Sequence, residues 1–222
     1  MDIFDREILE IIWLTLRMTV TSTIIAAILG IPAGLWLERV KFPGKKIIVS
    51  VNRTLMAVPP VVVGLVVYIL FMRHGVLGFF SLLFTLEVMI VAQVLIITPI
   101  ICGIVHTAAV NRAERIRAFG KTMGASPRQI QVLLVKELGN DIYFSIITGF
   151  GRAMSEVGAI MIVGGNIRHQ TRTMTTAISL MRSRGDFEQA ITLGVVLIGI
   201  VFVIQAAANL LRQKEQRQDE NY

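Results

Sequence analysis

Four uncharged apolar runs, 18–37, 54–72, 88–111 and 190–211, punctuate this chain of 222 residues. A helix needs about 20 such residues to cross the hydrocarbon core of a bilayer, where every backbone N–H and C=O has to be satisfied within the protein. The runs therefore predict four membrane-spanning α-helices. A fifth apolar stretch, 142–165, is interrupted only by Arg152 and Glu156 and reads as another span, with two ionisable groups inside the membrane. Only 17% of the residues are charged, against about a quarter in soluble domains. The expected fold is all-α and integral to the membrane. One transmembrane domain fills 1–222, with spans at about 11–37, 47–72, 88–110, 140–165 and 190–211.

With five spans the chain termini face opposite sides. Segments 1–10, 73–87 and 166–189 then share one side and hold 6 Lys and Arg, while 38–53, 111–138 and the tail from 212 share the other and hold 14. The positive-inside rule makes the second side cytoplasmic, with the N-terminus outside. Topology also accounts for the net charge of +7, because the basic residues lie in short loops between spans; no nucleic-acid partner is expected. The acidic start of the chain, Asp2, Asp5, Glu7 and Glu10 against Arg6, does not resemble a cleavable leader. Cys102 has no cysteine partner, and His74, His106 and His169 fall in separate segments without metal-ligand spacing, so neither a disulfide nor a metal site is expected.

Chemistry in the chain itself is limited. Gly120-Lys121-Thr122 imitates the end of a phosphate-binding loop, but Arg115 stands where the first glycine of GxxxxGK[ST] belongs. Ser155 lacks the GxSxG elbow of a serine hydrolase. The chain is therefore expected to form a passage and not to be an enzyme.

Segment 111–138 carries Ile116, Phe119, Met123, Ile130, Leu133 and Leu134 at helical spacing. Gly124 permits a tight turn, Ser126 is a good N-cap and Pro127 suits a first helical turn. A helix, a turn and a second helix are expected, lying under the membrane. Such a hairpin resembles the coupling loop of importer permeases of the ATP-binding-cassette (ABC) superfamily, type I. In their pattern of Glu-Ala-Ala, three residues, Gly, nine residues, Ile, one residue and Leu-Pro, Gly124 takes the glycine position. Ala125 and Ser126 follow it, and Leu134 takes the isoleucine position. Ala118, Phe119 and Gly120 stand at the Glu-Ala-Ala positions, and Lys136 and Glu137 at Leu-Pro.

The segments LMAVPPVVVGLVVY at 55–68, GFGRAMSEVGAIMIVGGNI at 149–167, TRTMTTAI at 171–178 and SRGDF at 183–187 extend the likeness. They resemble permeases for molybdate, sulfate and tungstate, most closely the tungstate branch. The resemblance implies a plasma-membrane homodimer that receives a tetrahedral oxyanion from an extracytoplasmic binding protein. Two cytoplasmic ABC ATPase subunits would drive it, with ATP and Mg2+ bound there and no cofactor in this chain. Residues 118–120, 124–126 and Leu134 would contact the ATPase.

A charge at the bilayer centre costs roughly 2.5–3.5 kcal/mol on insertion scales, so Arg152 and Glu156 should face a partner or a hydrated cavity. Their i, i+4 spacing allows mutual pairing; alternatively Arg152 helps the anion through while Glu156 tethers it. Ser155, Gly158 and Asn166, together with Gly164 and Gly165, offer hydroxyl, amide and backbone groups to the same path, or serve close helix packing. Pro59 and Pro60 mark a bend, static or moving. At the outer mouth Arg168 and Arg172 either sit in a solvated loop or concentrate an anion. An ion-coupled secondary transporter is the competing class, but it calls for midplane carboxylates, and Glu156 alone qualifies. A lipid-binding structural or signalling subunit is a third.

Overall fold

The computed structural model describes the backbone of residues 2–219 and the side chains of 6–210. Asp2, Asp5 and the basic tail from 212, which enter the charge count above, lie outside the described side chains. Among the described residues there are helices, turns and loops and no strand. The helices are α1 (Asp2–Arg39), α2 (Lys45–Ala57), α3 (Pro60–Phe71), α4 (Leu86–Thr122), α5 (Pro127–Glu137), α6 (Gly139–Met154), α7 (Gly158–Gly164), α8 (Met174–Ser183) and α9 (Phe187–Asp219). Three of them, α1, α4 and α9, are long and apolar enough to cross a membrane. The number rises to five if α2–α3 and α6–α7, bent by 101° and 59°, each make one span.

The first bend lies at Pro59–Pro60, the positions the sequence marks for one; the second lies within 140–165, where the sequence expectation had none. Consecutive prolines explain the first. Each proline disfavours helical geometry in the residue before it, so Val58 and Pro59 are both extended, at ψ 131° and 127°, and α3 starts afresh at Pro60. Pro32 and Pro99, in contrast, lie inside unbroken helices. The second bend is made by Ser155 and Glu156, whose backbone N–H groups turn back to the carbonyls of Gly151 and Ala153.

α1 and α4 form the spine. A Cβ on Gly34 would stand 2.7 Å from the Cys102 carbonyl oxygen, and one on Gly30 3.0 Å from that of Thr98, so glycine sets their separation. Against this spine lie Ala26, Ile97, Ile101, Val105 and Ala153, fully or nearly buried. Towards one end Met18, Val67, Met89, Ile160 and Val163 join α1, α3, α4 and α7. Towards the other Ala113, Ile116, Ile130, Leu134 and Leu138 join α4 to α5. The two ends of α1 carry separate ion pairs. Glu7 meets Arg168 and Arg172, whereas Glu38 meets Arg117 at 2.7 Å.

Two departures from the sequence expectation remain. α4 runs on past the apolar run to Thr122, because residues 111–121 contain no helix breaker before Gly124; the first half of the 111–138 hairpin is therefore its continuation. In addition, segment 166–189, expected on the outer side, contains α8. Its start is a capping box in which Thr173 and Thr176 satisfy each other's backbone N–H.

Candidate translocation path and docking hairpin

The elbow between α6 and α7 collects four of the expected path residues. Arg152 Nη2 lies 3.5 Å from Glu156 Oε2, the arginine side chain 37% exposed and the glutamate 5%. The other carboxylate oxygen of Glu156 accepts the Ala159 N–H at 3.0 Å, so it satisfies a donor at the start of α7 that no helical carbonyl can reach. Ser155 is exposed and its hydroxyl donates to the Arg152 carbonyl. Gly158 is packed away: a Cβ there would sit 2.4 Å from Val61 Cγ2, and one on Gly64 2.6 Å from Ala159 Cα. Small residues thus clamp α7 to α3, immediately after the Pro59–Pro60 bend. Glu156 and Gly158 build the elbow, and Arg152 and Ser155 present polar groups from it.

A buried polar brace holds this elbow to the spine, and sequence reasoning missed it. The Ser22 hydroxyl donates to Gln93 Oε1 at 2.6 Å, and Gln93 Nε2 donates to the Ala153 carbonyl at 3.0 Å, linking α1, α4 and α6. Thr175 donates to the Glu156 carbonyl and the Met174 N–H to Thr15 Oγ1, adding α8. Gln93 is the one amide side chain in the uncharged run before Asn111, and that isolation was its signal. Thr19 and Thr23 on the same face of α1 are buried with hydroxyl oxygens that have no partner among the described residues.

The residues expected towards the outer mouth form a separate group. Asn166 follows Gly165 in a left-handed turn, φ 69° then 52°, and its buried Oδ1 has no hydrogen-bond partner among the described residues. Arg168 donates to Glu7 through Nε at 3.0 Å and also through Nη2, and Arg172 donates to the same carboxylate at 3.0 Å. Hydrogen bonding to Glu7 holds the Arg168 guanidinium above its ordinary pKa. Two of the four arginines at this mouth thereby share one counter-charge.

At the other end Gly124 turns the chain at φ +72°, and Ala125 N–H returns to the Gly120 carbonyl at 2.8 Å. Ser126 and Gln129 form a capping box, with Pro127 in the first turn of α5. Gly120 lets α5 close down on α4, since a Cβ would stand 2.6 Å from Ile130 Cγ1. Leu134 is buried in this contact, whereas Phe119 and Met123 are 59% and 71% exposed. The hairpin therefore buries one apolar face and displays another at its tip.

These features define a polytopic α-helical membrane protein with two broken helices around a polar elbow. The family described as binding-protein-dependent transport system inner membrane component matches residues 30–217, and the chain belongs to it. Among relatives, it is 42% identical to the tungstate uptake system permease protein TupB of Peptoclostridium acidaminophilum, covering 95% of this chain and 92% of that one. It is 35% identical to a probable anion ABC transporter permease protein of Haloferax volcanii, over 90% and 88% of the two chains. With the tungstate uptake system permease protein of Campylobacter jejuni the identity is 34%, over 94% and 87%.

Proposed function

We propose that this chain is the membrane subunit of an ATP-driven tungstate importer and that two copies enclose the path. The observation that carries this reading is the similarity to tungstate uptake permeases along almost the full length, 42% over 95% of the chain. The bent pairs α2–α3 and α6–α7 then each make one of five spans, with the N-terminus outside and the basic hairpin inside. The exposed Phe119 and Met123, with Gly124 and Ser126 setting the turn, suit a knob that docks in an ATPase subunit; ATP and Mg2+ belong there. An extracytoplasmic protein would deliver tungstate to the end marked by Asn166, Arg168 and Arg172.

Within the path Arg152 is the residue that meets the dianion, helped by the Ser155 hydroxyl once it turns from the Arg152 carbonyl, and Glu156 is a positioning residue. Its carboxylate splits between Arg152 and Ala159, which tempers the arginine's hold; a site that binds its ion too well does not release it. Dimerisation suits a chain whose own elbow leaves Arg152 partly exposed.

The test is co-expression with the ABC ATPase and the binding protein. Co-purification of two copies of each membrane and ATPase subunit is expected, with ATP hydrolysis stimulated by tungstate-loaded binding protein. A chain that purifies without an ATPase, or a complex indifferent to tungstate, would overturn the proposal.

A further inference from the structure

The α3–α7 clamp joins the two bent pairs at one end, while α2 and α6 each pack on α4. Between them lies a cavity of about 410 Å³. It is lined by Asn52 and Arg53 of α2, His106 and Thr107 of α4, and Asp141 and Phe144 of α6. That volume holds a tetrahedral oxyanion with several of its waters, each of which takes about 30 Å³ in the liquid.

Its charge is one-sided. Asp141 is engaged by Arg112 at 3.0 Å, and the nearby Glu38 by Arg117 at 2.7 Å. Arg53 is exposed and takes part in no ion pair among the described residues. His106 is 8% exposed, and its Nε2 has no hydrogen-bond partner among the described residues. A buried imidazole nitrogen left unpaired is costly. That nitrogen exposes almost no surface, so an anion held by Arg53 and the Thr107 hydroxyl would receive its hydrogen bond, and remove that cost, once the ring turns towards the cavity.

The cavity also continues a line already on the page. Asp141, Phe144, Thr148 and Arg152 recur at three- and four-residue intervals and so share one face of α6, with Ser155 just past its end. None of the five is buried. From Arg152 to Phe144 is about 12 Å along the helix, a single step for an ion leaving the elbow.

We infer that this cavity is a second oxyanion site, the inner station of the path, with Arg53 as its charged ligand and His106 and Thr107 as neutral donors. It rests on the reading of the chain as an oxyanion permease. The site would hold tungstate after it has passed Arg152 and before it reaches the cytoplasm.

The experiment uses the nucleotide-free permease–ATPase complex in phosphatidylcholine nanodiscs without binding protein, dialysed to equilibrium against radiolabelled tungstate. Wild type is expected to bind, with molybdate competing. Arg53→Gln should weaken binding about tenfold or more, the worth of one charge-assisted hydrogen bond, and His106→Gln should weaken it less. Lys46→Gln, which removes an exposed charge from α2 outside the cavity, should leave binding unchanged. Equal affinity in wild type and Arg53→Gln, or an equal loss in Lys46→Gln, would overturn the site. So would loss of tungstate binding on adding phosphatidylglycerol, which would mean that a lipid phosphate occupies the cavity. Uptake by the same purified wild-type complex, reconstituted into proteoliposomes with ATP inside and binding protein outside, separates the two claims. Uptake with binding insensitive to Arg53 refutes the inner site alone, and absence of tungstate uptake refutes the importer and the site with it.

Discussion

Glu156 shows why a charge pair read from sequence has two meanings until its atoms are placed. The i, i+4 spacing correctly brings Arg152 and Glu156 to 3.5 Å, but spacing alone could not show that the second carboxylate oxygen caps the start of α7. Glu156→Gln keeps an acceptor for Ala159 and should assemble normally, while Arg152→Gln should assemble yet lower tungstate uptake at least about tenfold, as loss of a charge-assisted contact implies. Unchanged uptake by an assembled Arg152→Gln complex would remove Arg152 from the path. Gly64 and Gly158 belong to a different class of residue, since each sits where a Cβ would collide with the facing helix. Gly64→Val should therefore destabilise the fold by about 1–3 kcal/mol, the cost of overpacking, read as a lower thermal unfolding midpoint in detergent. The Ser22–Gln93 brace was hardest to foresee, because a lone glutamine in an apolar run reveals its burial but not its partner.

At the scale of elements, what was legible followed the strength of the local signal. Long uncharged runs define α1, α4 and α9, and the Gly124-Ala125-Ser126-Pro127 sequence marks the hairpin turn and the start of α5 to the residue. Apolar periodicity alone is blind to bends: Pro59 and Pro60 mark the 101° turn, whereas nothing in the run through Ser155 and Glu156 announces the 59° one. The same limit hid α8, whose Thr-rich start gave a capping signal inside a segment read as a loop for its charges. Replacing Pro59 and Pro60 together by Ala restores helical freedom to Val58 and Pro59's position. The double variant should reach the membrane and lose most uptake if the bend shapes the path; full uptake would make it incidental. Ser126→Ala should cost α5 about 1 kcal/mol through the lost cap. Gly124→Val, forced into a positive φ that branched residues avoid, should cost more. Both should weaken ATPase co-purification in that order, and intact co-purification with both would show that the hairpin does not dock the ATPase.

For the whole molecule, the proposed two-copy assembly makes a single chain half of what transport requires. Its spine is well packed, but the elbow is open beside Arg152, α9 is nearly bare and the hairpin tip exposes Phe119 and Met123. Each exposed feature suits a separate occupant: a second copy, lipid and an ATPase. The most direct measurement of tungstate import is ATP-dependent uptake of radiolabelled tungstate into proteoliposomes. These hold the purified permease–ATPase complex, with binding protein outside and ATP inside. The expected result is uptake that needs ATP and binding protein and is reduced far more by excess unlabelled tungstate than by sulfate. Tungstate accumulation equal with and without ATP, or none at all alongside rapid sulfate or molybdate uptake, would contradict it.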